Sequence, residues 1–408
     1  MKILHVISQT PDHTGSGKYI QAVMSCAAKR GYESRLVAGI QDDFCLDPVI
    51  LPQDRACYVR FRSGSIDFPL PGMSDVMPYD STVFSSMTPS QLGCYDQAFE
   101  TAIRREVHCF KPDIIHTHHL WLVSAITRRS CPDIPMVTTC HGTCLRQSCL
   151  CPEIFREQSD FIKKIDRIMA LSPTQKQEIV RTHAIPPNRI DVVGGGFNDA
   201  LFFWGKKNDP DPVELVYAGK LSRAKGVIWL LRALNRIGTR CFRLHLAGGG
   251  SGPEKQICLD LAKALGDRVK VHGALDHMSL AQLMRRSHVF VLPSFYEGLP
   301  LVLIEALASG CRVLTTALPG TLEVVGGGNS PWVTLLNLPV LETIDRPFRK
   351  DEEELEIQLA TALDNVIHAA LKEPSPDRET SRVLTQRFTW DSVFDRIEKT
   401  YLKALGRL

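Results

Sequence analysis

Pro293-Ser294-Phe295-Tyr296-Glu297-Gly298-Leu299-Pro300-Leu301-Val302-Leu303-Ile304-Glu305-Ala306 places two glutamates eight residues apart across a loop-to-helix junction. The apolar run Val289 to Leu292 just before it reads as a buried strand, so Glu297 falls in the loop at the end of that strand. Gly298 permits close approach of backbone to a ligand. Pro300 suits the first helical position, and Glu305 then lies about a turn and a half into the helix. A helix start offers unpaired N–H groups and a positive dipole end, which suits a diphosphate. Glu297 can accept from sugar hydroxyls, and Glu305 can accept both hydroxyls of a ribose. Ligands of open α/β sheets bind outside the carboxyl ends of the strands, where this segment falls. Taken alone, the same residues also fit a solvated helix start with two surface acids.

The alternation of short apolar runs and longer amphipathic ones extends in both directions. Upstream, Lys2 to Ser8 reads as a strand, Thr14-Gly15-Ser16-Gly17 as a turn and about Lys18 to Arg30 as a helix. Ser34 to Ala38, Asp113 to His116, Met136 to Thr139 and Arg167 to Leu171 follow as strands. The pattern stops near residue 195, and Lys206 to Pro212 has the composition of an inter-domain linker. It restarts with strands at Glu214 to Ala218, Arg243 to Ala247, Val269 to His272, Val289 to Leu292 and Arg312 to Thr315. Two α/β halves, each a parallel sheet flanked by helices, are the expected fold class. Asp391 to Leu405 reads as a last helix that could pack on either half. Residues 53–98, rich in Pro, Ser, Gly, Met and aromatics, read as a long loop, either an acceptor-shaping lid or surface decoration.

A chain of 408 residues suits two domains of about 200 residues. Net charge is +3 on 48 basic and 45 acidic side chains, which argues against nucleic-acid binding. No stretch approaches 18 uninterrupted apolar residues, so no transmembrane segment is expected. The start of the chain lacks the length and cleavage site of a signal peptide. Thirteen cysteines, an odd number, fit free thiols in a cytoplasmic protein. Peripheral contact with an inner membrane surface stays open.

Several blocks in order carry a resemblance. Glu297-x7-Glu305, then Ser309-Gly310-Cys311-Arg312-Val313-Leu314-Thr315-Thr316 and Pro319-Gly320, resemble the donor-site signature of family 4 glycosyltransferases with the GT-B fold. Ala218-Gly219-Lys220-Leu221-Ser222-Arg223-Ala224-Lys225-Gly226 resembles the family's Gly-Arg-x4-Lys-Gly segment. Leu246 to Gly252 resembles its glycine strand-turn, and Val271-His272-Gly273 its base-contact strand. The resemblance is strong over 214–325 and looser before 200.

It implies two Rossmann-like domains facing across a cleft: residues 1–198 on the acceptor side, 199–388 holding the nucleotide sugar, and a C-terminal helix, 389–408, that could cross back to the first. It implies a retaining transfer from a nucleoside-diphosphate sugar, UDP-sugar first and GDP- or ADP-sugar next, to an unidentified small-molecule, lipid or glycan acceptor. The enzyme would be of the hexosyl- or N-acetylhexosaminyl-transferase class. No cofactor and no metal is implied. Carried over by position, Glu297 would contact the donor sugar, Glu305 the ribose, and Lys225 the diphosphate and leaving group. Lys220 would stand where the family usually has Arg, keeping the charge but not the planar fork. Gly249, His272, Gly298, Leu299, Pro300 and Leu301 would complete the donor site. In the first half, Gly15 and Gly17 fit the family's glycine loop, and His141 fits the histidine that faces the donor sugar.

His116, His118 and His119 sit at another strand end. Strand alternation places 116 and 118 on one face and 119 on the other; acceptor binding and a metal are the two readings. Cys140, Cys144, Cys149 and Cys151, with Cys131 nearby, have no place in the family pattern, and their spacing is a weak zinc signal. Competing readings are a nucleotide-sugar epimerase, a phosphorylase, a nucleotide-sugar-binding protein without catalysis, and a Rossmann dehydrogenase. The last lacks the third glycine and the acid after the second strand, where Ala38-Gly39 stand.

Overall fold

Strands form where short runs are apolar at nearly every position, the mark of a parallel sheet covered on both faces. Val289–Leu292 and Arg312–Thr316 are buried at every residue. The computed structural model describes residues 1–12, 14–41, 44–64, 66–74, 77, 79–237, 241–326, 330–343 and 346–408. The chain divides into two units, Met1–Gly196 with Trp390–Leu408, and Phe197–Thr389.

The first unit contains β1 Lys2–Ile7, α1 Gly15–Lys29, β2 Glu33–Gln41, β3 Ala56–Phe61, the short pair β4 Pro71–Gly72 and β5 Thr82–Val83, α2 Pro89–Phe110, β6 Ile114–His118, α3 Leu122–Ser130, β7 Met136–Thr139, α4 Thr143–Leu150, α5 Pro152–Lys163, β8 Arg167–Ala170, α6 Pro173–His183 and β9 Ile190–Val192. Its main sheet is parallel, in the order β3-β2-β1-β6-β7-β8-β9. The second unit contains β10 Val213–Ala218, α7 Val227–Arg236, β11 Phe242–Ala247, α8 Gly252–Ala264, β12 Val269–Gly273, α9 His277–Arg286, β13 Val289–Leu292, α10 Leu301–Ala308, β14 Arg312–Thr316, α11 Pro319–Val325, β15 Val333–Leu336, α12 Glu352–Lys372 and α13 Arg378–Thr385. Its sheet, also parallel, runs β12-β11-β10-β13-β14-β15.

The last helix, α14 Trp390–Ala404, belongs to the first unit. Val393, Phe394, Ile397 and Tyr401 form one stripe at helical spacing and are buried with Ile3, Val23, Ile114 and Met169. Burying each such side chain contributes roughly 1.5–3 kcal/mol, which fixes the helix there.

Four local expectations are corrected. Gly15, Ser16 and Gly17 form the first turn of α1 rather than a turn before it, because the Thr14 hydroxyl caps the helix by accepting from the Gly17 N–H at 3.1 Å. The 53–98 loop shrinks to residues 62–88: Ala56–Phe61 adds an edge strand, and a capping box between Thr88 and Gln91 starts α2. Phe68, Leu70, Met73 and Phe84 from this loop are buried in the core of the unit, so it is not an exposed lid; Ser65, Asp75, Val76 and Pro78 lie outside the described residues. The linker 206–212 is a strap of the second unit. Lys207 is buried and donates at 2.8 Å to the carbonyls of both Met284 and Ser309, at the C-terminal ends of α9 and α10, where helix carbonyls lack partners. Pro300 is the residue before α10 rather than its first residue.

Candidate functional site

In the second unit, the loops after β10, β11, β12 and β13 open onto one cavity of about 690 Å³. Lys220 and Lys225 come from the first loop, Gly249 from the second, Ala274 and His277 from the third, and Glu297, Leu299 and Pro300 from the fourth. Leu301 and Glu305 line it from α10.

Each group has a local cause. The segment carrying Glu297 is held by Phe295, which is buried against Trp229 of α7 (ring centroids 4.8 Å apart) and whose N–H donates to the Ala224 carbonyl at 2.9 Å. The Thr316 hydroxyl donates to the Ser294 carbonyl at 2.6 Å. Lys225 ends the loop before α7. The next residue, Gly226, has φ +70° and lies so close to the Pro293 carbonyl that a Cβ would come within 2.0 Å of its oxygen, which only glycine tolerates. The two loops are thereby locked together, and the Lys225 ammonium lies 2.7 Å from Glu297 Oε1. The Ser294 hydroxyl donates to the same oxygen at 2.7 Å. Lys220 is exposed at the rim, and its carbonyl accepts from the buried Tyr217 hydroxyl at 2.7 Å. Burial pushes the Glu305 carboxyl up from 4.5 to about 7. The cavity thus gathers two cations, two carboxylates and a helix start.

Two expected donor-site residues are not on its walls. Gly298 is exposed beside it. His272 falls at an irregularity in the β11–β12 pairing, where Leu246 pairs with Val271 but Ala247 with Gly273. Such a bulge re-aims a side chain, and His272 Nε2 instead meets His245 Nδ1 at 2.9 Å, with His245 Nε2 2.7 Å from Glu214. Conversely, Gly248, Ala274, Leu275 and His277 line the cavity without having been singled out. Their signal was available, since they follow strand ends as Glu297 does.

The first unit holds a histidine cluster in β1 and β6 and just beyond β6 and β7. His5 and His116 are register partners, and the rings of His116 and His118 stack at 4.3 Å. His141 follows β7, stacks on His118 at 5.4 Å and brings Nε2 to 3.1 Å from His118 Nδ1. His119 does not leave for the other face. It stands past the strand with φ +74°, which carries its ring to 4.9 Å from that of His141 and its Nε2 to 3.1 Å from the Ser16 hydroxyl. Gly15 opens α1, and Gly17 packs so tightly on Asp12 that a Cβ would lie 2.5 Å from its backbone nitrogen. Burial lowers the pKa of His5 to about 3 and holds His116, His118 and His141 well below 6.5, so these rings are neutral. Among the described residues, His5, His116 and His118 bring ring nitrogens within 4.8 Å of one another, from which a metal ion could be ligated. Both nitrogens of His116 are already engaged, at 2.8 Å with Tyr401 and with Thr139, so ligation there would break one of those bonds.

Two parallel-sheet α/β units, one with an ion-lined cavity at its strand ends, define the class of GT-B glycosyltransferases. Residues 13–201 match Glycosyltransferase Family 4, and residues 212–337 match Glycosyl transferases group 1; the chain belongs to the family 4 glycosyltransferases. Glycogen synthase of Mycobacterium tuberculosis is 30% identical over 232 residues, 54% of this chain and 56% of that protein, so the chain spans little more than half the length of this relative. A D-inositol 3-phosphate glycosyltransferase of Gordonia bronchialis is 25% identical over 76% of this chain and 70% of its own length. Among solved structures, sucrose-phosphate synthase from Thermosynechococcus elongatus superposes with a TM-score of 0.69 at 20% identity, covering 100% of both chains. HepE of Anabaena in complex with UDP gives 0.67 at 16% identity, covering 99% of this chain and 100% of that one. These likenesses concern the fold. Among the described residues no helix is long and apolar enough to cross a membrane.

Proposed function

We propose that the chain transfers a sugar, with retention of anomeric configuration, from a nucleoside-diphosphate sugar to an acceptor hydroxyl. The observation that carries this is the cavity of the second unit, where Lys220, Lys225, Glu297, Glu305 and the start of α10 share about 690 Å³. A nucleoside-diphosphate sugar presents each of these groups with a counterpart. Glu305 accepts from the two ribose hydroxyls, and its raised pKa fits a carboxylate that gains donors only when the nucleotide arrives. The α10 N–H groups and the two lysines meet the diphosphate. Lys225 is paired with Glu297 at 2.7 Å in the free protein, so the donor takes its place between them: phosphate on the ammonium, sugar hydroxyls on the carboxylate.

Neither carboxylate of the cavity is assigned as a nucleophile, since Glu297 is given the sugar hydroxyls and Glu305 the ribose. We therefore assign a front-face reaction. The bond from the anomeric carbon to the diphosphate oxygen breaks, charge accumulates on the diphosphate, and Lys220, Lys225 and the helix start stabilise it. The acceptor hydroxyl attacks from the same face and loses its proton to the departing phosphate. His141, neutral, is assigned as a contact to the oxocarbenium-like sugar. UDP-sugars are the first donors to test, since the HepE structure holds UDP; GDP- and ADP-sugars come next. The test is donor turnover with water as acceptor, followed by NMR. Release of sugar with the donor's anomeric configuration supports the assignment. Release of the opposite anomer contradicts retention, and no turnover of any of the three donors contradicts the activity.

A further inference from the structure

Cys140 and Cys144 lie on either side of His141. Cys140 is the residue after β7, and Cys144 is the second residue of α4. Their sulfurs are 3.3 Å apart, and both residues are fully buried. A disulfide needs about 2.05 Å, so a little over 1 Å of closure joins them. Only His141, Gly142 and Thr143 intervene, and Gly142 adopts φ +87°. We infer that Cys140 and Cys144 form a dithiol that closes to a disulfide, and that closure displaces the His141 ring from its place on His118. The second half of this inference rests on the role assigned to His141 above.

The surroundings assign roles to the two thiols. Cys144 sits at a helix start, which favours a thiolate. Burial alone would raise its pKa, but the Cys140 thiol and His119 outweigh that and hold it well below the ordinary thiol range. Burial pushes Cys140 up. Cys144 is therefore the attacking sulfur and Cys140 the resolving one. With a low-molecular-weight disulfide as oxidant, the Cys144 thiolate attacks one of its sulfurs, forming a mixed disulfide and releasing one thiolate. Cys140 then gives up its proton and attacks the Cys144 sulfur; the intramolecular bond forms and the second thiolate leaves. Two protein thiols are oxidised, and one reagent disulfide is reduced to two thiols.

Both sulfurs are buried, so the reagent reaches them when the first turn of α4 opens. That turn lacks two supports of a helix start: Gly142 gives it no side-chain cap, and it carries no acidic residue. Closure draws that turn toward the end of β7. His141, in the short connection, has Nε2 3.1 Å from His118 Nδ1, and a shift of that size passed to its ring breaks this hydrogen bond.

The test treats the purified full chain with oxidised glutathione and follows two readouts. Peptide mass spectrometry of residues 130–146 is expected to show loss of two hydrogens, located by fragment ions between Cys140 and Cys144. Donor turnover is expected to fall about 100-fold, the effect of an ångström-scale misplacement at a reacting centre, and to return with dithiothreitol. Cys140→Ser and, independently, Cys144→Ala should keep the turnover of the reduced chain and lose the sensitivity. Glutathione on exposed Cys149 with no 140–144 bond overturns the dithiol inference. A 140–144 bond with unchanged turnover overturns the switch and removes His141 from the reacting centre. A chain with no turnover in either redox state defeats the functional assignment, while the mass readout still decides the dithiol.

Discussion

The two units are built alike, yet they treat ionisable groups in opposite ways. The second keeps Lys220, Lys225, Glu297 and Glu305 around an open cavity, with the Lys225–Glu297 pair poised at 2.7 Å. The first packs five imidazoles in and just beyond β1, β6 and β7 and holds those of His5, His116, His118 and His141 uncharged. The second unit thus offers charged groups at its strand ends, and the first offers neutral donors and acceptors. The architecture therefore does not decide the electrostatics; the residues on the strand ends do.

Acid breaks this comparison most strongly. The buried histidines of the first unit, with His183 at about 4, have folded pKa values below their unfolded 6.5. The native state binds fewer protons than the unfolded one, so their contribution to stability is present above about pH 6.5 and is lost as pH falls toward 3. Each titrating group removes about 1.4 kcal/mol per pH unit. In the second unit Glu305 and Glu323 move the other way, from 4.5 to about 7, so stability rises as pH falls from 7 to 4.5. His272 and His288 there offset part of that gain. Hydrogen exchange at pH 7.5 and pH 5 should show protection lost first in residues 1–196. Uniform loss across both units would end the comparison.

A smaller, sharper effect is expected at Lys225. Its replacement by Ala should lower kcat about 10²- to 10³-fold, with a lesser effect on KM. Equal changes in both would mean that the lysine binds donor without helping the diphosphate leave. Glu305→Gln comes next. It removes a carboxylate that burial disfavours above pH 7, so the variant should unfold at higher temperature at pH 8, by the equivalent of roughly 1–3 kcal/mol, and gain nothing at pH 4.5. A thermal scan with no pH dependence would refute the raised pKa.

How much of this was legible in the sequence depended on how local the signal was. Glu297, Glu305, Lys220 and Lys225 each follow a strand or open a helix, and short-range spacing places them on the cavity. His272 was expected on the cavity but lies off it because a bulge, which spacing does not announce, turned it to His245. Lys207 read as linker because its partners, the Met284 and Ser309 carbonyls, are 77 and 102 residues away. His119 joined the cluster through a left-handed backbone, which strand alternation cannot foresee. The apolar loop before α2 gave its composition but not its burial.

The smallest effect concerns the neutral side of the comparison. Tyr401→Phe removes the hydroxyl 2.8 Å from His116 Nδ1 and should cost about 1–3 kcal/mol in urea unfolding, because a buried ring nitrogen loses its partner. Nucleotide affinity should not change. An affinity loss would mean that the histidine cluster of the first unit takes part in donor binding.

The central claim is that the cavity of the second unit binds a nucleoside diphosphate through Glu305. Calorimetric titration of UDP, GDP, ADP and CMP into the wild-type chain and into Glu305→Gln at pH 8 tests it most directly. The account predicts saturable binding of one diphosphate, weakened about 30-fold, or about 2 kcal/mol, in the variant. Binding of none of the four, or equal affinity in both chains, would contradict it.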